Sequence, residues 1–131
     1  MTSGRWAAYL WAGPTTLLGL AALALTEQRR LVGGVLEGHG RHVAAAFDVV
    51  APRRAVAAMT LGHVVIGRSA AALDASRDHE RVHVRQCERW GPLFVPAYLA
   101  ASVVAWLGGG DLYRDNAFER EAWRLAPMPD P

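Results

Sequence analysis

The chain has no lysine: all 14 basic residues are arginines, set against 12 acidic ones. The signs are interspersed and the net charge is only +2. That excludes the basic stripe by which proteins hold a polyanion, so no nucleic acid is expected as a partner. Cysteine is nearly absent. A single Cys87 excludes an intramolecular disulfide and a cysteine-rich zinc module, and it suits a reducing compartment. A disordered composition is lacking too. Hydrophobic residues make up 52% of the 131, enough for one packed domain and too few residues for two full ones. What is present, and informative, is a set of five histidines: His39, His42, His63, His79 and His83.

Charge is also missing locally. Residues 6–26 form a 21-residue window without a charged side chain. A helix of that length can span a hydrocarbon core of about 30 Å. Trp6, Tyr9 and Trp11 sit at its first end, where amphipathic rings favour an interface, and Glu27, Arg29 and Arg30 close the other. The expectation is an N-terminal apolar helix, residues 1–27, anchoring the chain in a lipid bilayer. A cleaved secretory signal and a buried helix of a soluble domain are the alternatives. Arg29, Arg30 and Arg41 follow the window and only Arg5 precedes it, which places the rest of a spanning chain on the cytoplasmic face. A second window, residues 91–110, is broken by Pro92 and Pro96 and ended by three glycines. Its uninterrupted part, about 97–107, is short for a bilayer span. It should lie at the interface or pack on the first helix.

Between the windows, residues 31–36 (LVGGVL) read as a short strand, with His39 and His42 in the glycine-rich turn after it. Residues 43–50 are an apolar run of ambiguous type, and 53–59 are helical or extended. Residues 61–67 (LGHVVIG) are bounded by glycine and rich in β-branched side chains, which argues for a buried strand. Asp74 and Ser76 are the candidate N-caps of a helix running to Trp90, which Gly91-Pro92 stops. A last helix starts near Asn116 and ends before Pro127, leaving 127–131 as a disordered tail.

The central helix contains His79-Glu80-Arg81-Val82-His83, an HExxH motif. Histidines four residues apart project from one helix face and can share one tetrahedral ion. Glu80, about 100° round the helix, can reach a water on that ion without being a ligand, and so serves as the general base. Two histidines leave catalytic zinc short of its usual three protein ligands. A histidine six residues after His83 would supply the third, but that position is Arg89. A glutamate on a separate helix is the other solution, and Asn116-Ala117-Phe118-Glu119-Arg120-Glu121-Ala122-Trp123 offers one. Glu121 is a rival ligand. Glu119 has a second reading as well: with Asn116 it fits a capping-box spacing.

HExxH followed by such a helix resembles the gluzincin metallopeptidases, among them the small minigluzincins and the membrane-bound CAAX prenyl protease family. The resemblance covers about residues 61–125. It implies a small zincin-like α+β domain, here residues 28–126, built of short strands, the HExxH helix and a glutamate helix. It implies zinc held by His79, His83 and Glu119, with Glu80 catalytic. It also implies an edge strand lining the substrate cleft, in the place of residues 61–67. Two positions depart from the pattern. Trp123 stands where an aspartate usually orients a zinc-bound histidine, with Asp115 or Glu121 as substitutes. Arg81 puts a charge at an inner position of the motif.

His63 is a candidate oxyanion or cleft residue. Cys87 reads as a buried, inert thiol, and Tyr98 and Tyr113 have no assignable role. The sequence therefore predicts a membrane-associated zinc metallopeptidase acting on a peptide or protein substrate. The alternative is a non-catalytic zinc-binding or small membrane or interaction protein in which HExxH is structural or accidental.

Overall fold

The structure, a computed structural model, describes residues 3–50 and 56–127. Most of the expected tail, and the residues around Pro52, lie outside the described residues. Two glycine turns build the sheet. Residues 31–36, expected as one strand, form a hairpin: β1 (Gln28–Val32) and β2 (Val35–His39) pair antiparallel across Gly33-Gly34. Both glycines have positive φ, 57° and 80°, the conformation that a two-residue hairpin of favoured twist requires. Residues 61–67 divide in the same way. Gly62, at φ 65°, and His63 turn the chain between β3 (Ala58–Leu61) and β4 (Val64–Gly67). The strand order is β1-β2-β4-β3, with β2 and β4 parallel. The connection between them runs through α3 (Arg41–Val50) and β3. His39 ends β2 and His42 opens α3, so neither sits in a free turn.

This topology corrects the expected edge. Val64–Gly67 is an inner strand, buried at every residue, and the edge strand beside it is β3, with β1 at the opposite edge. Side chains alternate across a strand, and β4 accordingly splits the core. Val64 and Ile66 pack with Leu23 of α2 (Gly13–Leu23) and with Val43 and Phe47 of α3. Val65 packs the other way, with Val35, Ala58 and with Leu73 and Val84 of α4 (Ala70–Trp90). Each such side chain stabilises the fold by roughly 1.5–3 kcal/mol when fully buried. Glu37 and Thr60 both pair with Val65 in register, so they share its face and look toward α4.

The N-terminal segment is packed into the domain rather than standing apart from it, so no gap in packing falls at residue 27. α1 (Ser3–Trp11) and α2 are separated at Ala12, with Pro14 in the first turn of α2. α1 contacts α4, and α2 contacts β4 and β3. A Cβ on Gly19 would lie 2.6 Å from the Leu61 carbonyl oxygen, so the close approach of helix to sheet depends on that glycine. Trp11 Nε1 donates to Arg89 O and Thr15 Oγ1 to Gly91 O. The outer side of α2 stays apolar, with Leu17, Leu18 and Leu20 exposed. The flanking arginines have internal partners. Arg29 donates to the carbonyls of Leu23 and Thr26 at the end of α2, and Arg30 pairs with Glu37.

α4 begins earlier than expected. Ser69 is its N-cap, accepting from Ala72 N at 3.1 Å, while Ser76 is buried within it and Asp74 pairs with Arg30 and Arg77. Gly91, at φ 58°, ends it. A 3₁₀ turn (Gly91–Leu93) leads into α5 (Phe94–Leu107), whose Pro96 is tolerated in the first turn. α6 (Ala117–Leu125) is capped by Asn116, whose Oδ1 accepts from Phe118 N. Among the described residues, one helical stretch, Ala70–Leu107, holds a window long and apolar enough to cross a membrane, with only 11% of that window buried.

Candidate metal centre

His79 and His83 lie on the buried face of α4, and Glu119 lies in the first turn of α6. The three bury almost completely, and one ligand atom from each lies within 4.8 Å of the others. His79 Nε2 is 3.2 Å from Glu119 Oε2, and His83 Nε2 is 3.1 Å from Glu119 Oε1. The second contact is close but lacks hydrogen-bond geometry, and His83 Nε2 has no hydrogen-bond partner. A buried, unpartnered nitrogen facing a carboxylate and a second imidazole is a set that could hold a metal ion. The capping-box alternative for Glu119 falls away, because its carboxylate points to the histidines and not back to the cap.

The far nitrogens of both imidazoles are anchored. His79 Nδ1 is 3.2 Å from the carbonyl of Ala126, at the end of α6. His83 Nδ1 is 2.8 Å from Gln86 Oε1. The orienting role expected of Asp115 or Glu121 therefore falls to a backbone carbonyl and an amide. Asp115 instead accepts from Asp111 N. Glu121 accepts from Gln86 Nε2 and Arg89 Nη2, which hold its carboxyl below the usual range. Trp123 packs its ring edge-on to His79, with centroids 5.4 Å apart.

Electrostatics separate the carboxylates. Burial alone would raise the Glu119 pKa, but hydrogen bonds with His79 and Tyr98 and the close charge of His83 bring it down to about 2. Burial would lower His83, yet Glu119 and Glu80 raise it to about 9. Glu80 moves the other way: its burial pushes the carboxyl above the usual range. Its Oε2 accepts from Thr60 Oγ1 at 2.6 Å, which ties it to the edge strand. Glu80, His83 and Glu119 line a cavity of about 240 Å³ with Ala58, Met59, Thr60 and Leu61 of β3, and with Phe94, Val95, Tyr98 and Leu99 of α5. Apart from the metal-site carboxylates and histidine, the wall is mostly apolar.

The remaining expectations fall elsewhere. His63 is not in this cavity. Its Nε2 is 2.9 Å from Glu88 Oε2 and its ring stacks on Tyr9 at 4.0 Å, because the β3–β4 turn carries it toward α1. Arg81 turns away from the site: its Nη2 donates to Val32 O and Glu37 Oε2. Cys87 is fully buried beside Ala12 and Phe94, and burial pushes its thiol up to about 12, leaving it inert. Sequence reasoning missed Gln86, the amide one turn beyond His83. It also missed Tyr98, whose hydroxyl donates to Glu119 Oε1 at 2.7 Å. A tyrosine in an otherwise charge-free window was the signal. Comparisons with family models, with curated proteins and with solved structures return no match.

Proposed function

We propose that the site defines a zinc hydrolase of the gluzincin type. More specifically, the chain is a zinc-dependent peptidase working at the cytoplasmic surface of a membrane. The observation that carries this reading is the convergence of His79, His83 and Glu119, with His83 and Glu119 lining one cavity together with Glu80 and an edge strand. Zinc, when bound there, supplies a Lewis acid and lowers the pKa of a water toward about 7. Glu80 would be the base for an attacking water and would return the proton to the leaving amine. Burial raises the Glu80 pKa, the direction that favours a carboxylate accepting a proton. Thr60 holds the acceptor oxygen in place and Tyr98 fixes Glu119. The outer edge of β3 can take an extended peptide as an added strand, and the apolar wall favours an apolar side chain next to the scissile bond. Exposed Leu99, Val103, Val104, Trp106 and Leu107 on α5 and the outer side of α2 favour lipid contact.

The test is Glu80→Gln, assayed on a peptide library and by metal analysis. Zinc should stay at one per chain while hydrolysis falls by about 10²–10⁴-fold. Loss of zinc in this variant would show that Glu80 is a ligand. Zinc with no cleavage by the wild type would favour the non-catalytic reading.

A further inference from the structure

We infer that Gln86 is the positioning residue for His83 and that it fixes which imidazole nitrogen faces the metal. The argument is a count of donors. Gln86 is 0% exposed, so each of its polar atoms needs a partner within the protein. Its amide nitrogen has two hydrogens and two acceptors: Phe118 O at 3.0 Å and Glu121 Oε1 at 2.9 Å. A carbonyl and an ionised carboxylate have no hydrogen to give. The amide is therefore locked in one orientation, with Oε1 turned to His83 at 2.8 Å. An amide oxygen accepts only, so His83 must present Nδ1–H. Wherever the imidazole is neutral it has one N–H, and Nε2 is then the atom left with a lone pair. That is the atom found buried without a hydrogen-bond partner beside Glu119.

The same amide does a second thing. Phe118 and Glu121 flank Glu119 on α6, so Gln86 ties the helix of the third ligand to the helix of the second. Arg89 secures the far end by donating to Glu121 Oε1 at 2.5 Å. The significance for metal binding rests on the zinc reading; the tautomer does not.

Histidine ¹H–¹⁵N correlation spectra test the tautomer. In metal-free wild type, at a pH where the imidazole is neutral, His83 should be the Nδ1–H form, and an Nε2–H form overturns the inference. Gln86→Leu should mix the two forms and weaken zinc binding by about 10–100-fold. An unchanged tautomer with unchanged zinc affinity overturns it as well. Leucine leaves Phe118 O and Glu121 without a donor, so a second pair guards against a variant that does not fold. Gln86→Glu alone sets two carboxylates together and should lose affinity. Gln86→Glu with Glu121→Gln restores an acceptor for His83 and a donor between the two positions, and should recover most of it. Failure to recover counts against the inference. A wild type that binds no zinc, yet keeps Nδ1–H and loses it in Gln86→Leu, removes the metal reading and leaves this one standing.

Discussion

α4 carries two buried glutamate partners on its two sides, and they differ in kind. Glu37, from β2, is 1% exposed and meets three arginines: Arg77 through both carboxylate oxygens, Arg81 at 3.1 Å and Arg30 at 3.1 Å. Glu119, from α6, is 3% exposed and meets two histidines and a tyrosine. Both carboxyls are held below the usual range. The cations round Glu37 are permanent, because guanidinium does not lose its proton in proteins. The two histidine partners of Glu119 can each exchange a proton or a metal for the present contact. Each cluster leaves one buried nitrogen without a hydrogen-bond partner, Arg81 Nη1 beside Glu37 and His83 Nε2 beside Glu119. A guanidinium nitrogen has no lone pair to offer, so the first cluster holds the helix to the sheet, whereas an imidazole nitrogen can offer one to a metal. Charge burial alone does not distinguish a structural carboxylate from a chemical one, whereas the exchangeability of its partners does.

Opposite phenotypes at the two glutamates would sharpen this comparison, and the largest effect belongs to the metal side. Glu119→Gln removes one of three ligands, so zinc affinity should fall by more than the roughly 10–100-fold typical of orienting residues. Mass-spectrometric metal analysis after dialysis checks it. Glu37→Gln should leave zinc at one per chain and lower stability instead. Breaking a fully buried ion pair costs about 3–5 kcal/mol. The partial exposure of Arg30 and Arg77 puts the expected loss at the lower end of that range or below it. Zinc loss in Glu37→Gln, with the fold intact, would break the distinction.

Acid separates the wild type from Glu37→Gln by a smaller margin. The folded pKa of Glu37 is lowered from 4.5: burial opposes the shift, and the hydrogen bonds of Arg77 and Arg30 with the charges of Arg77 and Arg81 outweigh it. A depressed folded pKa means stabilisation that is complete above the unfolded value and is lost as pH falls through the folded one. Urea midpoints of the metal-free protein should therefore fall more steeply below pH 4.5 in wild type than in Glu37→Gln. Equal slopes would remove Glu37 from the acid response.

The metal side of this comparison was the more legible in sequence. HExxH has a spacing that only one helix face satisfies, and Glu119 follows a recognisable cap at Asn116. The Glu37 cluster was not legible. Its members come from β1, β2 and α4, and the hairpin that aligns them was hidden in a run read as one strand. Two turns held the information: Gly33-Gly34, and Gly62-His63, the break that splits residues 61–67 and gives the edge to 58–61. The orienting groups were illegible for another reason. Ala126 acts through a backbone carbonyl, which no side-chain pattern encodes, and Gln86 gains its role only when α6 arrives.

The smallest expected effect concerns the membrane, and the two sides of α4 constrain it. His79 and His83 on α4 and Glu119 on α6 lie together, with α5 between them in sequence. α5 has 14 residues, about 21 Å at helical rise, against a hydrocarbon core of about 30 Å. One crossing by α5 would part the proposed ligands, so the proposed membrane association requires the helix to lie along the interface, with its exposed Val103, Val104, Trp106 and Leu107 toward lipid. Val104→Asp and Leu107→Asp should each reduce binding to phospholipid vesicles in a flotation assay by about tenfold, since one buried aliphatic side chain contributes roughly 1.5–3 kcal/mol. Zinc content should not change, because neither residue reaches the cavity. Single cysteines in place of the exposed Arg85 and Arg124 should then label from the same side of the vesicle membrane, with Cys87 silent through its burial. Labelling from opposite sides would separate α4 from α6, and the metal centre could not exist in the membrane-bound protein.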